Sequence, residues 1–298
     1  LNPNLLARSQ ILAGACLFST GGAAMKWSAF DAWQINALRC LIAAAVLAAC
    51  APAVWRNLHW RLVPVALAYA GTMTFFVLAT KNTTAANAIF LQSAAPLYVL
   101  CLAPFWLGER ATRRDLWFMA AVAAGVVLLF LAPQANIASA PRPALGNVFG
   151  ACAGVCYACT LIGMRWLALR HPGDTGAAIA SVAAGNLLAG VACMAWALPI
   201  AAGTPADWLV VIYLGVFQVA AAYLLVTRGL SRLPALEASL LLLIEPVLNP
   251  VWVWWLVGER PAALALCGGA VILGSIALRT WQQSAIDRDG RDARQPAV

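Results

Sequence analysis

Glu245-Pro246, then eleven intervening residues, then Gly258-Glu259-Arg260 is the stretch that decides the fold, because the chain has already carried it once. The earlier copy reads Ala95-Pro96, eleven residues, Gly108-Glu109-Arg110. The offset is 150 residues, about half of a 298-residue chain. A duplicated unit in a very apolar sequence points to a membrane protein built from repeats. In such proteins the solute site sits where the repeats meet.

Composition supports the membrane reading. Hydrophobic residues make up 63% and charged residues 10%, against roughly 45–50% and about 25% in a soluble domain. A soluble fold of this size cannot bury that much apolar surface. The net charge of +8 does not indicate nucleic acid, because the basic residues sit singly or in small groups between apolar runs, as in membrane loops.

Apolar runs of roughly 18–24 residues mark ten spans. They are 10–27, 33–54, 62–80, 84–107 and 116–131, then 145–169, 175–200, 208–227, 234–257 and 262–281. The expected fold is therefore all-α and integral to the membrane. It divides into a first five-helix repeat (1–131), a Pro-containing connection (132–144), a second repeat (145–281) and a polar, disordered tail (282–298).

Ten spans put both termini on one side. That side collects 14 of the 19 Lys and Arg and the other side four, with Arg39 inside a span. The positive-inside rule then makes the termini cytoplasmic. Five spans per copy is an odd number, so the second copy is inverted relative to the first. One Gly-Glu-Arg faces the cytoplasm and the other faces outside.

Several motifs then resemble one family. These are Ala37-Leu38-Arg39 in the second span, the Pro-to-Gly-Glu-Arg stretch of the fourth, and its Glu245-Pro246 version in the ninth. Together they resemble EamA-type carriers of the drug/metabolite transporter superfamily, over about residues 11–278. The look is similar to bacterial amino acid exporters, including the aromatic amino acid exporter branch. The resemblance implies a cavity between spans 1–4 and 6–9, a bacterial inner-membrane location, and export of small metabolites, amino acids first. No Gly-rich phosphate loop is present, so a gradient is the expected driving force.

Within that frame the candidate residues separate by position. Pro96 and Pro246 lie near the middle of matched spans, where each removes a backbone hydrogen bond. They are either gating kinks or static bends. Glu245 lies deep in span nine, where an ionised carboxylate is costly unless paired or hydrated. It suits proton exchange, binding of a substrate ammonium, or a helix–helix hydrogen bond. Glu237, nearer the cytoplasmic end, and its repeat counterpart Asn87 either line the pathway or, for Glu237, form a hydrated first-turn carboxylate. Arg39 is placed to hold a substrate carboxylate, to pair with a structural acid or to snorkel.

Aromatic residues inside the spans suggest an apolar, aromatic cavity. By the repeat, Phe18 matches Tyr157 and Phe76 matches Tyr223; Asn87 and Tyr98 are three turns apart on one expected face. Lys26 and Lys81 read as anchors at helix ends.

Cys152, Cys156 and Cys159 share a helix face, yet only His59 and His171 are available, in loops elsewhere. The expectation is packing, with no metal and no cofactor. Gly146, Gly150 and Gly154 form a small-residue stripe for an internal helix contact or a homodimer. Competing readings are a multidrug or lipophilic-cation exporter of the same superfamily and a membrane-embedded enzyme. For the enzyme, no clustered His, Gly-x-Ser-x-Gly or intramembrane carboxylate dyad is present.

Overall fold

A computed structural model describes residues 3–51, 53–56, 59–107, 113–133, 139–170, 176–200, 203–230, 232 and 241–292. Every main element among them is a helix. Residues this apolar cannot leave backbone groups unpaired in lipid, and a helix satisfies them within its own segment.

The first predicted span is two helices, α1 (Pro3–Ser19) and α2 (Gly21–Trp27), broken at Thr20. Span two is α3 (Ala32–Cys50), opened by an Asp31/Gln34 capping box. Span three is α4 (Val63–Asn82). Span four is again two helices, α5 (Ala85–Ser93) and α6 (Ala95–Leu107), and span five is α7 (Arg113–Leu131).

In the second half, spans six and seven are α8 (Pro143–Arg170) and α9 (Gly176–Ala197). Span eight starts as α10 (Pro205–Tyr213), passes through a π-helical stretch (Leu214–Ala221) and ends as α11 (Ala222–Leu230). Then come α12 (Ile244–Val257) and α13 (Ala263–Asp292). Eight segments among the described residues are long and apolar enough to cross a membrane. The two not among them are span one, which breaks at Thr20, and span nine, where residues 233–240 lie outside the described set.

Helix α13 continues past the last predicted span to Asp292.

Both predicted proline kinks coincide with breaks. Helix α5 ends at Ser93 and α6 starts at Ala95, one residue before Pro96. A turn at Leu243 precedes Ile244, two residues before Pro246. Around Ala94 the backbone makes shortened bonds, Ala94 N to Leu91 O at 3.3 Å and Leu97 N to Ala94 O at 2.9 Å. Asn87 and Tyr98 sit on the helices either side of that break, and both meet α8, Asn87 at Asn147 and Tyr98 at Gly154.

Packing follows an exchange rule. Span three packs on spans six and seven; span eight packs on spans one and two. Span four packs on six, and nine on one. Spans two and seven pair with each other, as do five and ten. Thus α7 and α13 cross at Gly125 and Gly268, where an added Cβ on Gly268 would meet Gly125 O at 2.7 Å. They are peripheral and present Trp117 and Trp281 outward. Such exposed tryptophans suit the edge of a lipid layer.

The glycine stripe of α8 is used inside the chain. Gly146 abuts Thr83, while Gly150 and Gly154 abut Leu91 and Tyr98.

Candidate functional site

The Gly-Glu pair ending α12 has a local explanation. Gly258 caps the helix at φ 75°, a conformation that favours glycine, and donates its N–H to Trp254 O at 3.0 Å. That reversal carries Glu259 back into the protein. Its Oε1 accepts the backbone N–H of Ala85, the first residue of α5, at 2.6 Å. Its Oε2 pairs with Lys26 Nζ at 3.0 Å, and both side chains are buried. Lys26 also donates to Thr83 O at 2.7 Å and to Ser139 O. Lys26 is therefore no interface anchor. It latches the end of α2 to the starts of α5 and α8 and to the turn after α12. The matching Gly108-Glu109-Arg110 lies outside the described residues, as does Glu237.

Away from this latch lies an aromatic centre. Phe18 meets Tyr223 edge-on at 5.0 Å, and Tyr223 meets Tyr69 at 5.7 Å. The Tyr69 hydroxyl accepts from Asn186 Nδ2 at 3.1 Å. Tyr157 and Tyr223 lie within electrostatic reach of Glu245. Glu245 is half-buried and makes no hydrogen bond or ion pair with a described residue.

Arg39 is 1% exposed. Its Nε and Nη2 donate to Asn36 Oδ1 at 3.3 and 3.2 Å, and Nη2 donates to Met73 O at 3.2 Å. No carboxylate among the described residues pairs with it. A buried guanidinium without a counter-anion is costly and marks a candidate functional position. Tyr69 lies within electrostatic reach of it. Tyr69 and Tyr223 are in ring contact, with Arg39 in electrostatic reach of the first and Glu245 of the second.

The other predicted residues fall elsewhere. Phe76 is buried in the core. Asn87 sits in the first turn of α5, where its N–H donates to Thr84 Oγ1 at 3.2 Å. Its Nδ2 donates to Asn147 Oδ1 at 3.1 Å, which also accepts from Thr83 Oγ1 at 2.8 Å. Asn87 therefore belongs to the latch end. Tyr98 is half-buried against Gly154.

Sequence reading missed Tyr69, Asn186, Gln218 and Asn249. Gln218 lies against Gly21, and Asn249 against Gly22, at the break in span one. A surviving signal was available: Glu245 and Asn249 are one helical turn apart on one face.

A bundle of long apolar helices with broken spans around a sparsely polar interior defines a multi-pass membrane transporter. The EamA-like transporter family matches over residues 6–131 and 144–281, and the chain belongs to that family. It is 28% identical over 214 residues to a protein of Archaeoglobus fulgidus named an uncharacterized transporter, covering 71% of this chain and 73% of that one. A protein crystal structure shares its fold with TM-score 0.62 at 22% identity, over 94% of this chain and 98% of the other.

Proposed function

We propose that the protein is a secondary carrier of a bacterial inner membrane, exporting small metabolites, amino acids including aromatic ones first, by alternating access. The observation that carries this is the Tyr69–Tyr223 ring contact with the buried Arg39 in electrostatic reach of Tyr69 and Glu245 in electrostatic reach of Tyr223: an anion-seeking group and a cation-seeking group beside aromatic rings. Those are the handles of an amphipathic zwitterion. The site needs no cofactor, and the partners are the solute and the bilayer.

The repeat supplies the motion. The family match divides where the duplicated motif divides, and helix contacts survive exchanging each span with the one five further on. Both features support two five-helix repeats and ten spans, and the excess of Lys and Arg on one side supports cytoplasmic termini. With Lys26 and Glu259 paired, the outer end is closed. Opening requires that pair to separate while the opposite end closes.

The Glu245 carboxylate, without a partner among the described residues and within electrostatic reach of Tyr157 and Tyr223, also favours a second reading, a lipophilic-cation exporter. The test is counterflow in proteoliposomes, with labelled phenylalanine, tryptophan and leucine against organic cations. Saturable counterflow of amino acids supports the first reading. Competition by organic cations alone supports the second, and movement of neither class sinks both.

A further inference from the structure

Helices α7 and α13 cross at Gly125 and Gly268 and leave a groove between them. Asp115 lies ten residues from the crossing on α7, and Arg279 lies eleven residues from it on α13. Both are about 15–17 Å along their helices. The groove lies at this end and holds about 540 Å³, inside the range of about 300–1,000 Å³ for small-molecule sites. All its lining residues belong to α7 or α13, and none to the Tyr69–Tyr223 centre.

The lining is amphipathic. Arg114 is exposed and Arg279 is half-buried. Arg279 is held in place: its Nη2 donates to Asp115 Oδ1 at 2.5 Å, and its guanidinium lies 4.7 Å from the centre of the Phe118 ring. Asp115 balances Arg279, so Arg114 is the surplus charge. No acidic residue lines the groove among the described residues. Ala121 and Leu278 continue the lining as an apolar wall. Trp117 and Trp281 also line it, and they are 80% and 64% exposed. Indole rings of this kind sit at the edge of the hydrocarbon layer. The arginines are therefore at headgroup depth, and the crossing glycines are deeper in the layer.

We propose that this groove binds one anionic phospholipid, its phosphate between Arg114 and Arg279 and an acyl chain along Leu278 toward the crossing. A guanidinium can give a phosphate two parallel N–H bonds. Basic pockets between membrane helices suit such headgroups. Charge argues against a second copy of the chain as the occupant. A two-fold contact here would set the basic patch of Arg113 and Arg114 against itself. With cytoplasmic termini the lipid belongs to the inner leaflet. That leaflet rests on the topology reading; the binding does not.

The test is native mass spectrometry of the full chain in detergent, titrated with dioleoyl phosphatidylglycerol, dioleoyl phosphatidylcholine and inorganic phosphate. The two lipids share acyl chains and a phosphate and differ in net charge. The wild-type chain should bind the first phosphatidylglycerol at least about fivefold more tightly than the first phosphatidylcholine, the worth of one arginine beside an anionic headgroup. Arg114→Gln should bring the two lipids within about twofold. Arg113→Gln, which removes the neighbouring charge outside the groove, should leave the preference in place. Both side chains are exposed, so neither variant opens the core. Equal affinity for the two lipids in the wild-type chain overturns the site. An equal loss of preference in both variants also overturns it, because diffuse surface charge would then explain the binding. Inorganic phosphate that displaces the lipid would make this a site for a free anion. Lipid-free dimers that become monomers in Trp117→Glu would give the face to a second copy.

Discussion

Lys26 and Glu259 form a buried 3.0 Å ion pair, and the same carboxylate accepts the N–H of Ala85 at 2.6 Å. One acidic residue therefore ties together span one, the start of span four and the end of span nine. Replacing Glu259 by Gln leaves the Lys26 ammonium buried without its counter-charge. Breaking a buried pair this way costs about 3–5 kcal/mol. Glu259→Gln is expected to lower the melting temperature and to make a Thr84→Cys reporter more reactive to an impermeant thiol reagent from outside. The double variant Lys26→Met/Glu259→Leu should recover stability while counterflow stays impaired. A Glu259→Gln chain that melts with the wild type and leaves the reporter protected would remove the latch.

Hydropathy and charge made the spans legible, because each depends on residue averages over one helix. The helix end at Gly258 was legible because a glycine there acts locally, ending α12 at a positive φ. The partner of Glu259 was not legible. Ala85 is 174 residues away, and Lys26 at a helix end looks the same whether it faces lipid headgroups or a buried carboxylate. Gln218 and Asn249 were missed for a related reason. A single amide in an apolar run barely changes hydropathy, and only the break at Thr20 shows what it faces. Asn87 and Tyr98 both meet α8 although a turn at Ala94 lies between them.

Two glycines near these elements should respond differently to alanine. Gly258 has φ 75° and no atom within 4 Å of an added Cβ. Gly258→Ala should therefore cost only backbone strain, about 1 kcal/mol, with transport retained. At Gly22 the added Cβ would sit 2.4 Å from Asn249 Oδ1. Gly22→Ala must displace Asn249 or α2, so its counterflow should fall well below that of Gly258→Ala. Denaturation and counterflow measured on both variants check the order, and the reverse order contradicts it.

Arg39 tests the other end of the solute. It is buried and bonded to Asn36 and Met73, with no acid beside it among the described residues. Arg39→Met removes a buried charge, so the fold should tolerate it. Affinity for a carboxylate-bearing amino acid is expected to fall about tenfold or more, while affinity for 2-phenylethylammonium, which lacks a carboxylate, stays within about twofold. An equal loss for both ligands would make Arg39 a fold residue rather than a contact.

A pH series tests whether Glu245 connects solute binding to protons. It is half-buried, has no partner among the described residues and lies one turn from Asn249. If its carboxylate exchanges a proton during the cycle, wild-type counterflow varies with pH and Glu245→Gln, which cannot ionise, removes that variation. Keeping the amide also preserves size and one acceptor, so the fold is retained. The expected result is a flat rate across a pH series in Glu245→Gln, with weaker affinity for primary amines at every pH because the anionic acceptor is gone. Rates that follow the wild-type profile at every pH would reduce Glu245 to packing between spans one and nine.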